Sequence, residues 1–189
     1  MRNGVCVGGT VLANNRMVRL LSSTGSAQPT NTPFEIGQIW EITFANRTII
    51  TPPHIEDVVI QTANPIGNIE NINQYIIDNG LVNWTGNIEN VFDGLLSWTG
   101  AGSGFIPVGG QYPNKTTGFW VPDIDLSRIQ FDDNIKYRYK SEIIRQAKFV
   151  GHQESVNILP AGTIVRVSLS RRYNSYGNDG FWLQLSGWY

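Results

Sequence analysis

Ile135-Lys136-Tyr137-Arg138-Tyr139-Lys140 alternates strictly, with apolar or aromatic residues at the odd positions and long cations at the even ones. Successive side chains of an extended chain point to opposite faces, so this stretch reads as a β-strand with one aromatic face and one basic face. A helix would scatter both sets around its circumference. Downstream, Thr163–Ser170 repeats the period, with Val165, Val167 and Leu169 set against Ile164, Arg166, Ser168 and Ser170. Phe181, Leu183 and Leu185 likewise oppose Trp182, Gln184 and Ser186. Far upstream, in Gln38–Phe44, Trp40, Ile42 and Phe44 fall on one side and Ile39, Glu41 and Thr43 on the other. Val5–Ala13 and Met17–Leu21 are β-prone runs joined by an Asn-Asn turn, Ser22–Pro33 is a polar loop, and Asp57–Thr62 offers one further strand.

Only the middle changes period. Ile69, Ile72, Ile76 and Ile77 form a helical stripe ending at Gly80, and Ile88, Val91, Phe92, Leu95 and Leu96 form a second with Asn87 as its N-cap. The five-residue run Gly67–Asn71 recurs as Gly86–Asn90, and Trp84-Thr85-Gly86 recurs as Trp98-Thr99-Gly100, matches too short to make a repeat architecture. Ala101–Tyr112 reads as a Gly-rich loop around Phe105-Ile106-Pro107-Val108. The expectation is a mostly β protein with helix confined to roughly Glu70–Leu96.

Composition agrees with that picture. The 189 residues are 41% hydrophobic and 15% charged, enough apolar material for a packed core and too little charge for a disordered chain. Twenty glycines and nine prolines supply frequent reversals. A lone cysteine, Cys6, excludes an internal disulfide and a multi-cysteine zinc site. The opening residues do not resemble a signal peptide, and no run approaches the ~18 apolar residues of a membrane span, so the expectation is a cytoplasmic protein with no membrane partner. There is no Gly-x-Ser-x-Gly and no phosphate loop, and Gly8-Gly9-Thr10 is only a bend.

Charge is unevenly distributed. Between Thr48 and Asn114 there is no Lys or Arg, against six acidic residues, whereas Arg128–Arg172 holds nine basic residues against four acidic ones. A polyanion would therefore meet the C-terminal part of the chain, despite a formal net charge of -1.

Several passages resemble one family of prokaryotic proteins, the dual-OB-containing domain. They are Val18-Arg19-Leu20-Leu21, Pro52-Pro53-His54-Ile55-Glu56-Asp57-Val58, Val165–Arg171, and the ending Leu183-Gln184-Leu185-Ser186-Gly187-Trp188-Tyr189. Phe92-Asp93-Gly94 and Gly104-Phe105-Ile106 resemble its middle section, while Arg172-Tyr173 departs from the family's pattern. The resemblance implies two OB-like barrels with intervening helices, in a nucleic-acid-binding module associated with bacterial defence. Laid on this chain, it implies an N-terminal barrel over residues 1–66, a helical insert over 67–100 and a C-terminal barrel over 101–189.

OB barrels hold single strands through basic grooves and aromatic platforms. Lys136, Arg138 and Lys140 would project about 7 Å apart along one strand face, with Arg166, Arg171, Arg172 and Trp182 completing a nucleic-acid-binding surface. His54, Glu56 and Asp57 form the only dense catalytic-type cluster, which with Arg19 makes a possible ligand pocket. After two prolines the cluster reads as a structural corner in which the acids cap backbone or pair with Arg19, with a small-nucleotide pocket or hydrolase centre as the alternative. No catalytic residue, metal or cofactor is expected. The leading expectation is a non-enzymatic nucleic-acid-binding or sensing module that takes single-stranded nucleic acid and acts with an effector protein encoded nearby. The rival is a protein-interaction or scaffold subunit of a defence complex.

Overall fold

The computed structural model describes residues 4–47, 51–175 and 177–189. The chain divides into two compact units, Met1–Gly80 and Leu81–Tyr189. Strand accounts for 51% of the structure and helix for 8%, in two sheets of which one is a curled half-barrel.

The first unit holds strands β1 (Val7–Val11), β2 (Arg16–Leu21), β3 (Gln38–Asn46) and β4 (Asp57–Asn68), followed by helix α1 (Ile72–Asp78). They form a sheet ordered β1-β2-β4-β3, with β2 and β4 parallel. Asn15 takes a left-handed φ of 57° in the β1–β2 turn, a conformation Asn tolerates better than most residues. Val18, Leu20, Val58 and Ile60 make the core, with Ile42 and Phe44 of β3 packed on it, while Glu41 and Thr43 face water. The alternation in β3 thus sorts its faces as its residues suggest. The helix is capped by Asn71, whose side chain accepts from the Gln74 amide at 3.0 Å, and it buries Ile76. Ile77 lies off the stripe and is exposed.

The second unit contains β5 (Val82–Gly86), β6 (Ser97–Trp98), β7 (Gly104–Pro107), β8 (Thr117–Pro122), β9 (Leu126–Phe131), β10 (Asn134–Lys140), β11 (Ile144–Phe149), β12 (Ile158–Leu159), β13 (Val165–Leu169), β14 (Tyr173–Ser175) and β15 (Asn178–Trp188). Their order is β12-β9-β10-β11-β15-β13-β8-β5, with β14 and β7 also on β15, and β6 on β7. Tyr137, Tyr139, Leu183, Leu185, Val165, Val167, Leu169 and Trp120 line one continuous core. All but Trp120 belong to the apolar half of an alternating strand, so their inward face follows from the period of two.

Within residues 67–100, β4 runs to Asn68, α1 lies in the first unit, and residues 81–100 lie in the second. Two expectations change. The second helical stripe is a 3-10 segment, Ile88–Gly94, interrupted where Val91, Phe92 and Asp93 leave helical geometry. Asp93 sits there at φ 62° because its carboxylate is held from outside, accepting from the Trp84 indole at 3.3 Å and the Asn114 amide at 3.1 Å. Phe105-Ile106 is strand rather than loop. Its two neighbouring residues are both buried because the strand is covered on both faces, Ile106 entering the core and Phe105 stacking on Trp182. Gly104 is needed beside them, since a Cβ there would lie 2.8 Å from the Trp98 ring.

Candidate nucleic-acid interface

Strand pairing decides which cations meet. In the β10–β11 register Lys136 stands opposite Lys148, Arg138 opposite Gln146 and Lys140 opposite Ile144. On the other side β9 sets Ile129 against Lys136 and Ser127 against Arg138. The parallel β11–β15 pairing then puts Lys148 beside Gln184, and β13 puts Ser168 beside Gln184. Directly opposed residues of a pleated sheet share a face. Lys136, Lys148, Gln184 and Ser168 therefore form one polar row across four strands, stepping about 4.8 Å per strand, on the face turned away from the core. Arg166 lies on that same face of β13 and donates through Nη1 to the Ser186 hydroxyl at 3.1 Å.

The electrostatics of the row are unusual for a resting surface. Like charges placed directly opposite each other destabilise a sheet, and among the described residues no carboxylate pairs with Lys136, Arg138, Lys140, Lys148 or Arg166. Burial, and then the facing Lys148 ammonium, hold the Lys136 amine below its ordinary range. The Nε of Arg138 is sealed from solvent without an acceptor, a mismatch that costs about 1–3 kcal/mol. Lys148 is absent from the residues that sequence alone nominates, and only the register brings it in.

The other expected members are placed differently. Arg172 is bound by Asp179, Nη2 to Oδ2 at 2.6 Å, and that bond holds the exposed Asp179 carboxyl below its usual range. Arg171 is half-buried, two residues beyond the end of β13. Trp182 projects from the outer face of β15, but its ring stacks on Phe105 with centroids 5.0 Å apart and on Tyr173 at 5.6 Å, while its indole donates to the Tyr173 carbonyl. At 6% exposure it is a packing residue with no open face for a base. Arg145 is also withdrawn: its guanidinium bonds Glu89 at 2.7 Å and lies 4.5 Å from the Trp98 ring centroid.

Arg19, His54, Glu56 and Asp57 occupy the interior of the first unit, each more than nine-tenths buried. The parallel pairing of β2 and β4 sets Arg19 against Asp57, and Nε donates to Oδ1 at 2.6 Å. Arg47 approaches the second carboxylate oxygen at 3.5 Å. Such a geometry ties β2 to β4. Among the described residues no group of three His, Cys, Asp or Glu side chains is arranged to hold a metal ion, and no helix is long and apolar enough to cross a membrane.

A family model described as the dual OB-containing domain matches residues 1–188. Neither the curated proteins nor the solved structures yield a match to this chain.

Proposed function

The chain belongs to the dual OB-containing domain family, and on that premise we propose that its second unit binds single-stranded nucleic acid on the outer face of β10, β11 and β13. OB folds commonly use such a sheet face for strands, through cations for the phosphates and without chemistry of their own. The observation that carries the reading is Lys136 facing Lys148 with no carboxylate between them. A phosphate lying over that pair relieves the repulsion. Lys136, Arg138 and Lys140 repeat at about 7 Å along β10, close to the step of an extended sugar-phosphate chain. The protein then acts as a binding or sensing module, and the family resemblance supports a setting in bacterial defence beside an effector protein.

The test is fluorescence anisotropy with a labelled oligothymidylate across a salt series. Binding should weaken steeply with salt. The triple change Lys136→Ala, Arg138→Ala, Lys148→Ala should make the log–log slope shallower by about 2, at roughly 0.7 for each phosphate no longer neutralised. Absence of binding at ~50 mM salt, or an unchanged slope in the variant, would leave the protein-interaction reading in its place.

A further inference from the structure

The basic row explains the phosphates of a bound strand but not its bases, since the aromatic residue expected to stack them, Trp182, is covered. One other ring is in position. Among the described residues Phe131 is the single exposed aromatic side chain, and at 69% it is the most exposed large apolar residue. No ring or cation of the described residues lies against it.

Its place in the sheet is specific. Phe131 ends β9, opposite Asn134, with Ile129 two residues earlier opposite Lys136. By the period of two, Phe131, Ile129, Lys136 and Lys148 share the outer face. The ring thus stands about 7 Å along the sheet from Lys136, the length of roughly one nucleotide. Asp132 and Asp133 form the turn beyond it, Asp132 at a left-handed φ of 50°. Two carboxylates at the tip repel a phosphate and leave the lysines as the seat of the sugar-phosphate chain. An uncharged base is what can then meet the ring. Water gains nothing from an exposed benzyl group, and the turn itself does not need one, since short polar residues are the ones that favour tight turns.

We propose that Phe131 is the stacking platform for a base of the strand whose phosphates lie on Lys136 and Lys148. The inference rests on the nucleic-acid reading above and goes beyond it by naming where the base is recognised. Stacking on a π-face is tolerant of base identity, so the site selects for the presence of a base and not for its sequence.

The experiment compares two strands of equal charge, an oligothymidylate of about twelve nucleotides, within OB site sizes, and the same length built from abasic residues. The intact protein should prefer the base-bearing strand by on the order of tenfold. Phe131→Ala should erase that preference while leaving affinity for the abasic strand, and the salt slope, as in the unaltered protein. Phe131→Tyr should keep the preference, because it keeps the ring. A thermal melt checks that the alanine variant is folded, which its exposed position favours. Should Phe131→Ala retain the full preference for the base-bearing strand, the platform is elsewhere and the inference fails while the binding reading stands. Should neither strand bind the unaltered protein, both fall together.

Discussion

Asp57 answers two guanidiniums with one carboxylate, and the consequence is structural. Its oxygens reach Arg19 at 2.6 Å and Arg47 at 3.5 Å from a nearly inaccessible position. Removing one partner of a buried pair leaves the other charge uncompensated, so Asp57→Ala should lower stability by about 3 kcal/mol, read as a shift of the urea midpoint. A variant with normal stability and abolished binding would instead make the cluster part of a site. Tyr139 makes a different point. Burial and the bond to Asp123 push its phenol up to about 12, whereas in the unfolded chain it ionises near 10. Unfolding thus releases a proton at pH values between the two, so the contribution is intact below about pH 10 and is lost as pH rises toward 12. Tyr139→Phe should flatten part of the fall in urea midpoint between about pH 9 and 11.5. Identical slopes would assign that fall to Tyr137 and Tyr189, whose phenols burial also raises.

Pairing between β10 and β11 sets the proposed binding against stability. Lys148→Glu turns a facing repulsion into an attraction, so it should stabilise the fold by about 0.2–1 kcal/mol while weakening oligonucleotide binding. Opposite signs in a thermal melt and an anisotropy titration are the expected pair of results; a gain in both would remove Lys148 from the binding surface. The same two strands show what sequence can and cannot reveal. In β10 the alternation is legible because every inward residue is apolar or aromatic. In β11 the inward set is Arg145, Ala147 and Phe149, and a cation tied to Glu89 hides the period, so sequence alone assigns Lys148 to no face. Phe105-Ile106 is illegible for a related reason, since a strand covered on both sides has no polar face to alternate with. The 88–94 segment has helical spacing, yet Asp93 is held by Trp84 and Asn114, partners that no local pattern encodes. Arg19 and Asp57 are the exception among long-range pairs: both lie in β-prone runs, and a buried acid needs a cation.

The pairing of charges differs between the two units in a way that bears on the proposed binding. Residues 1–80 hold four basic and six acidic side chains, and residues 81–189 hold ten and nine. Net charge hardly separates them; the pairing of charges does. In the second unit Glu89 is held by Arg145 and Asp179 by Arg172, while Lys136, Lys148 and Arg138 gather on one face without a counter-ion among the described residues. In the first unit Arg19 and Arg47 are both committed to Asp57. A strand drawn by long-range attraction therefore finds a cluster of unneutralised cations on the second unit, and the salt dependence of binding should arise there. The boundary between the units follows α1, where Gly80 turns the chain at φ 60°, and each side has its own buried core. Expressed alone, residues 81–189 should melt cooperatively and bind oligothymidylate with the slope of the whole chain, whereas residues 1–80 should not bind. If the larger fragment folds but loses most of the affinity, the first unit holds part of the strand through groups other than its neutralised arginines, and the strand path drawn from the β10–β11 register is too short.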